Sequence, residues 1–503
     1  MNFKKFAAAC LAATALIAVP ASAATGSAKN GLTLMKGLNV IVLQDLNAGG
    51  GEIEGKAYVG GNVNGNSFQI GFGNSAYGQA QSFRSTLAVG GNLNAQIQLS
   101  NGPNGSISST IDHFGAYIVG NVAQKLNLNS NAATVRVGGN LKDMNYTNGT
   151  RLDVGGSVTD TLALGDNSVT RIGGNASGFN SGNNNVVLDV RGAVGNLGIG
   201  TGTVRIGGAL GNTSGGNNIN LSVGGAIGNG SLGSNAFVKA NGNVNVNGTG
   251  GATIYTAGAF TGNANGATIH QGATAFSGVV TAPTTPNAPP AVDSLVSMTA
   301  QIKADVEALS TALGVLATTN TLTTAAGNPG QIKFTVSDTD PNVAAVFNLT
   351  AAQFAGAQQF QFNFANLNKP VVFNVSGAVN GVYNWNATAS SSNPGISVLQ
   401  NISQNVVWNF LDATTLNINR EVYGSVLAAK AVVSAGSNIN GTVVAKIFNQ
   451  SAEVHLGTYA RGINFLPNES VSATPEPAVW VQLITGFGFT GALMRRRRTT
   501  VVA

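Results

Sequence analysis

Val137-Gly138-Gly139-Asn140, Val154-Gly155-Gly156-Ser157, Ile172-Gly173-Gly174-Asn175, Val190-Arg191-Gly192-Ala193, Ile206-Gly207-Gly208-Ala209 and Val223-Gly224-Gly225-Ala226 are copies of one phrase. Each is an apolar residue, a glycine pair or its variant, then Asn, Ser or Ala. A decayed copy stands at Ala240-Asn241-Gly242-Asn243, and from position 138 to 241 the steps are 17, 18, 18, 16, 17 and 17 residues. Earlier copies, Val59-Gly60-Gly61-Asn62, Val89-Gly90-Gly91-Asn92 and the reduced Val119-Gly120-Asn121, stand about 30 residues apart. A fixed period of this size is the mark of a solenoid. It is too short for helix-pair repeats of more than about 30 residues, and the leucine-rich consensus is missing. The pattern predicts a mainly β fold: a β-helix-like solenoid of Gly-rich coils, with short strands joined at glycine corners.

The apolar positions fit that reading. Val137, Val154, Ile172, Val190, Ile206 and Val223 precede the glycines, and Leu141, Val158, Ala176, Val194, Leu210 and Ile227 follow them. Stacked coil on coil, they form a core that no single coil could bury. One residue further out lie Arg136, Asp153, Arg171, Asp189, Arg205 and Ser222, alternating in sign through five coils. On strands about 4.8 Å apart these become an outward charge ladder. Exposed pairs of this kind are worth about 0–1 kcal/mol each, so the ladder is expected to fix register rather than hold the fold together.

Pro283, Pro286, Pro289 and Pro290 end the repeats. Asp293 offers an N-cap, and Leu295, Met298, Ile302, Val306, Leu309, Leu313 and Leu316 follow at helical steps. This predicts a long amphipathic helix docked on the solenoid flank. Strand patterns resume at Ile332 to Val336, Val343 to Leu349, Phe360 to Phe364 and Val371 to Val375. A 17-residue step from Tyr423-Gly424 to Asn440-Gly441 suggests that these strands rejoin the solenoid. The expected organisation is a signal peptide (1–23), repeats (24–280), linker and helix (281–330), a C-terminal β part (331–467) and a tail (468–503).

Charged residues are 9% of the chain, glycine supplies 68 of 503 positions, and hydrophobic residues make up 43%. That is too apolar for a disordered polymer. The net charge of +6 belongs to the ends. Without the two lysines before residue 24, and the four arginines and one acid after residue 473, there remain 19 basic and 18 acidic residues. The body has no footprint for nucleic acid. The single cysteine, Cys10, lies in the N-terminal apolar run, so disulfide and thiol chemistry are not expected of the mature chain.

Lys4-Lys5, the apolar run from Phe6 to Val19 and Pro20-Ala21-Ser22-Ala23 have the order of a secretory signal. Cleavage after Ala23 would make Ala24 the first residue, with the Sec translocon and signal peptidase as partners. At the other end, Pro475-Glu476-Pro477 precedes an apolar stretch from Ala478 to Met494 and then Arg495, Arg496, Arg497 and Arg498. Such a stretch can just span a bilayer, with the arginines kept cytoplasmic, as a transient membrane span. This tail resembles the PEP-CTERM sorting signal, with Trp480, Gly486 and Gly488 in keeping. The resemblance implies an exosortase-like membrane protease as partner and the surface or matrix of a Gram-negative exopolysaccharide producer as destination. A plain membrane anchor is the alternative.

The body resembles the choice-of-anchor A family. The residues that carry the likeness are Ile53-Glu54-Gly55-Lys56-Ala57-Tyr58, Val371-Val372-Phe373-Asn374-Val375-Ser376-Gly377, Val407-Trp408-Asn409-Phe410, Tyr423-Gly424-Ser425-Val426-Leu427-Ala428-Ala429, Gly441-Thr442-Val443-Val444-Ala445-Lys446 and Glu453-Val454-His455. Ala429 stands where that family usually has proline. The resemblance implies an extracellular domain paired with a surface anchor, and it gives location better than activity.

Chemistry is sparse. His113, His270 and His455 show no metal-ligand spacing, and Glu453-x-His455 reads as a structural pair on one strand face. The Gly-Gly-Asn phrases lack the aspartates of calcium-binding coils, and no nucleotide loop or nucleophile elbow is present. No cofactor, metal or catalytic residue is therefore expected. The leading reading is a non-catalytic surface or matrix protein, associated with exopolysaccharide and adhesive. The alternatives are a glycan-binding module using Tyr58, Tyr117, Tyr146 and Tyr255 as exposed aromatics, and a β-helical polysaccharide-degrading enzyme. An ice-binding solenoid lacks a threonine ladder at the period.

Overall fold

The computed structural model describes residues 24–71, 85–100, 114–181, 185–272, 295–366, 368–391, 399 and 402–461. The signal segment with Ala21 and Ala23, His113, the linker prolines, Asp293 and the tail with its PEP motif and arginines lie outside the described residues.

Each coil is a set of short strands joined at glycine-rich corners. The first coil is Val40–Val42, Leu46–Ala48 and Glu52–Ile53; the second is Ala57–Val59, Val63–Gly65 and Phe68–Ile70. These strands pair in parallel with their counterparts in the next coil, so the stack has three faces. Inward positions fill the core. Val137, Val154, Ile172, Val190, Ile206 and Val223 stack on one wall, and Leu141, Val158, Ala176, Val194, Leu210 and Ile227 stack on another, all buried. The C-terminal coils hold aromatic residues instead, with Phe373 stacked on Trp408 at 4.1 Å and Trp385 edge-on to it.

The first coil does not lie at an end. Val40–Val42 pairs with Ala57–Val59 on one side and with Val443–Ala445 on the other. The chain climbs from this middle coil to Thr268–Gln271. It resumes at the opposite end with Ala345–Thr350 and winds back through Val371–Ser376, Val406–Phe410 and Ser425–Ala435. The C-terminal strands thus rejoin the same stack, and first and last coils close against each other.

The corner phrase has a stereochemical logic. The Asn140 side-chain oxygen accepts the Ser157 N–H at 2.7 Å, as Asn121 does for Asn140 and Asn92 for Asn121. Each asparagine therefore satisfies the backbone of the coil above it. That side chain lies where a Cβ of the next glycine would be: a Cβ on Gly156 would fall 2.3 Å from Asn140 Oδ1. Glycine and asparagine at this corner are one device spread over two coils. At another corner the chain turns through a left-handed residue, supplied by Asn167 (φ 54°), Asn185 (φ 59°), Asn218 (φ 59°) and Asn235 (φ 58°). Asparagine tolerates that conformation better than most residues.

Two helices cover part of the first face. Helix α1 (Ala28–Gly37) is capped by the Ser27 side chain, which accepts the Asn30 N–H. It packs on helix α2 (Leu295–Gly314). Ile302, Val306, Leu309 and Leu313 of α2 are buried against Ile41, Val407, Leu427 and Val444 of the sheet. The helix crossing is close, since a Cβ on Gly31 would lie 2.4 Å from the Asp305 carbonyl oxygen. Buried Asn374 donates to the Leu313 carbonyl at 2.8 Å, a second bond to an acceptor that the Leu316 N–H also reaches at the helix end.

Candidate functional site

The outer column of the first face changes character along the stack. Leu427, Val444, Ile41, Tyr58 and Ala88 are in register and apolar, and lie in the cluster covered by α1 and α2. Val346, Val372 and Val407 join that cluster from positions two residues before Asn348, Asn374 and Asn409, which continue the column. Beyond the helices the column reads Tyr117, Arg136, Asp153, Arg171, Asp189, Arg205, Ser222, Lys239, Tyr255 and His270, each in register with the next. The charged residues share one outward column but are not equally exposed. Asp153 and Asp189 are buried, while Arg205 is half-exposed. Long arginine stems lean over the short acids and cover them. Asp153 pairs with Arg136 at 3.5 Å and with Arg171 at 4.0 Å, and Asp189 pairs with Arg205 at 2.6 Å. The ladder is thus one triad and one pair. Arg136 also lies over the Tyr117 ring, 5.4 Å from its centroid.

Of the four tyrosines expected to be exposed, two are not. Tyr58 is buried beneath α2, its hydroxyl 2.5 Å from Thr299 Oγ1, and Tyr146 is buried with its hydroxyl 2.9 Å from Thr170 Oγ1. Burial pushes both phenols up from their ordinary pKa. Tyr146 follows a strand whose alternation turns it into the core, and helix cover hides Tyr58. Tyr117 and Tyr255 are half-buried, and Tyr255 stacks on His270 with centroids 4.5 Å apart.

His455 lies where the last coil meets the first. Its Nδ1 donates to Glu54 at 3.1 Å, and the Asn438 amide group donates to Nε2 at 3.1 Å. Glu453 is 3.6 Å from Nε2, and Glu54 also accepts the Leu456 N–H at 2.6 Å. The hydrogen bond to Glu54 holds the imidazole above its ordinary range against the opposing effect of burial. These bonds tie termini together rather than present a free acid and base. Among the described residues no cluster of His, Cys, Asp and Glu has the form of a metal site.

The second face of the C-terminal coils is different in kind. Val382, Thr415, Val432 and Ile447 form one outward column, in register and partly exposed. Two residues on, Asn384, Asn417, Ser434 and Asn449 form a second. The amides are linked: Asn417 donates to Asn384 at 2.8 Å, Asn449 to Ser434 Oγ at 3.2 Å, and Asn47 to Asn449 at 2.9 Å. Asn64 donates to Asn47 and Asn94 to Asn64, which carries the chain across the seam. A third column begins with Asn419 donating to Asn386 at 2.8 Å. Between the second and third columns runs a shallow groove of about 480 Å³, lined by Asn417, Asn419, Gly436, Asn449 and Ser451 among others. A wider hollow of about 820 Å³ lies at the end of the last described coil, between Asn245, Phe260, Asn263 and Ile269. The chain beyond it, from residue 273, lies outside the described residues.

Among the described residues no helix is long and apolar enough to cross a membrane. No curated protein matches the chain. Solved structures that match include a possible adhesin C-terminal domain from Caldicellulosiruptor kronotskyensis, at 13% identity over 89% of this chain and 96% of that one, with a TM-score of 0.16. An ice binding protein from an Antarctic bacterium, Flavobacteriaceae, matches at 14% identity over 84% of this chain and 97% of that one, with a TM-score of 0.19. The Tapirin C-terminal domain of Caldicellulosiruptor kristjanssonii matches at 13% identity over 83% and 92%, with a TM-score of 0.15. The interval 126–188, which the family match below leaves out, holds the coils of Arg136, Asp153 and Arg171. A solenoid accepts such coils readily, because each contacts only its neighbours. Residues 31–125 and 189–456, most of the chain, match the family described as "Putative Ice-binding-like adhesive domain", and the chain belongs to that family.

Proposed function

We propose that this chain is an exported, non-catalytic protein of the cell surface or extracellular matrix, adhesive in role and associated with exopolysaccharide. The observation that carries the reading is the match to an adhesive domain family on both arms of the stack. The fold supports it: a long, stiff prism offers repeated side chains rather than a single reactive pocket. Among the described residues, the histidine–carboxylate cluster at His455 is committed to closing the first coil on the last. In the finer reading, the choice-of-anchor A likeness rests on motifs of the body, and export by the Sec pathway with sorting by an exosortase-like protease in a Gram-negative bacterium rests on the sequence of the two ends.

The test is localisation with processing. Antibody labelling of intact cells should detect the body, and the surface form should begin at Ala24. Replacing Pro475-Glu476-Pro477 with alanines should leave a larger, membrane-retained form. Wild-type processing and display of that variant would reduce the tail to a plain anchor. Release of oligosaccharide from the host exopolysaccharide, abolished by one Asp or Glu substitution, would overturn the non-catalytic reading.

A further inference from the structure

The second face of the C-terminal coils combines three properties. It is uncharged: the columns beginning at Val382, Asn384 and Asn386 hold no ionisable side chain through four coils. The cations nearest to them, Lys430 and Lys446 at the preceding corner and exposed Arg420 directly after Asn419, all stand outside these columns. It is amphipathic, with methyl groups of Val382, Thr415, Val432 and Ile447 beside a row of amides. It is also preorganised, because Asn417 spends one N–H on Asn384, and Asn449 spends one N–H on Ser434 and one lone pair on Asn47, which orients these amides. The second N–H and second lone pair of such an amide remain for a ligand. These repeat about every 4.8 Å along the stack.

We infer that this face binds a neutral polysaccharide chain laid along the solenoid axis, over the methyl column of Thr415 and Val432 and the neighbouring amides of Asn417 and Asn449. A sugar ring has the matching chemistry. Its C–H surface is apolar and would lie on the methyl column, while its hydroxyls both donate and accept and would pair with the amides. An anionic polymer would find no cation within the columns. A ligand lacking hydroxyls would strand the outward amide valences, which is costly once water is displaced. The rigid ladder removes much of the ordering cost that loose polar side chains would impose.

The inference rests on the proposed adhesive role and names its ligand class. The purified chain is tested for retention on cellulose, curdlan and agarose, with alginate beads as the anionic comparison. Retention is expected on at least one neutral matrix and should persist in 1 M NaCl. Val432→Lys and Asn417→Ala should each weaken it by tenfold or more, with an unchanged melting temperature. Thr161→Lys, an exposed position in the unmatched coils, should leave it unaltered. The inference is overturned if no neutral matrix retains the protein, or if both second-face variants bind like wild type. Salt-sensitive retention on alginate alone would also overturn it. So would ice-crystal shaping that depends on Val432 and Asn417 without polysaccharide retention, which would assign the face to ordered water. Antibody labelling of intact cells is scored separately, so surface display can stand while the ligand assignment falls.

Discussion

Glu54 and His455 are 401 residues apart in sequence and 3.1 Å apart in space, and their hydrogen bond joins the first coil to the last. Burial opposes ionisation of Glu54, and hydrogen bonds from His455 and the Leu456 N–H outweigh it, so its carboxyl lies below 4.5. The hydrogen bond to Glu54 outweighs burial at His455 and raises its imidazole above 6.5. The Asn438 amide, donating to Nε2, tempers that rise. The His455 contribution is complete below pH 6.5 and is lost as pH rises through the raised value. The Glu54 contribution is complete above pH 4.5 and is lost as pH falls through the lowered value. Glu52 works the other way: burial, then Glu453 and Glu54, raise its carboxyl, so its ionisation costs stability above pH 4.5.

The pair should therefore stabilise most between pH 4.5 and 6.5. Glu54→Gln should lower stability there by about 1 kcal/mol, allowing for partial solvent screening. The difference should shrink toward pH 8. Melting curves of both proteins across pH 4 to 9, where roughly one charged hydrogen bond is at stake, provide the check. A gap that does not vary with pH would show that the pair does not set it.

The corner device makes a coupled prediction. Gly156→Ala should destabilise by about 1–3 kcal/mol, because its Cβ meets Asn140 Oδ1 and cannot shift away from the coil below. Asn140→Ala alone removes one backbone hydrogen bond, a loss of about 1 kcal/mol. In the double variant the two losses should sum to less than their total, since the clash with Asn140 disappears. Some strain remains, because the Gly139 carbonyl lies 2.7 Å from the same Cβ. Strict additivity in a denaturant cycle would refute the shared device.

The core was legible in the sequence because its period is regular. Val137 and Leu141 recur every coil, and an apolar residue at that spacing has one place to go. The bonding role of the corner asparagine was not legible, since its partner is a backbone N–H one coil away and leaves no mark in local sequence. Tyr58 misled for a related reason. It occupies an outward position, and only the docking of α2, more than 200 residues later, buries it. The second-face lattice was missed because Asn384, Asn417, Ser434 and Asn449 are spaced by 33, 17 and 15 residues. Insertions between the C-terminal strands break the period, although the register is kept in space.

Asp153 should be the most sensitive member of the charge ladder. It is buried between Arg136 and Arg171, so Asp153→Ala leaves two cations facing one another. The expected loss is about 1–2 kcal/mol. Asp189→Ala should cost less, since its partner Arg205 is half-exposed and can turn to water. Arg171→Asp sets a third acid beside Asp153 and Asp189 in register, for a loss of about 1 kcal/mol that high salt should reduce. Urea melts at two ionic strengths measure both the order and the salt effect. An equal cost at Asp153 and Asp189 would show that the number and exposure of the partner arginines do not matter here.

The middle position of the first coil predicts that the two arms are not separate folding units. Val443–Gln450 is sandwiched between Ser425–Ala435 and the first coil, pairing Val40 with Val443 and Leu46 with Phe448. Cutting the chain at the linker would expose both edges, each a row of unpaired N–H and C=O groups over an apolar core. It would also split the helix pair, because α1 belongs to the first arm and α2 to the second. The Thr442 hydroxyl would lose its bonds to the Met35 and Leu38 carbonyls, and Asn39 its bonds to Gly441 and His455. Residues 24–272 and 295–461 expressed apart should therefore aggregate or melt well below the intact chain. Expressed together, they should form a one-to-one complex that restores the cooperative transition, because the interface is the continued stack itself. Size-exclusion chromatography with circular dichroism on the separate and mixed fragments decides it. Two soluble, independently cooperative fragments would mean that the closure between first and last coils is a contact between finished domains.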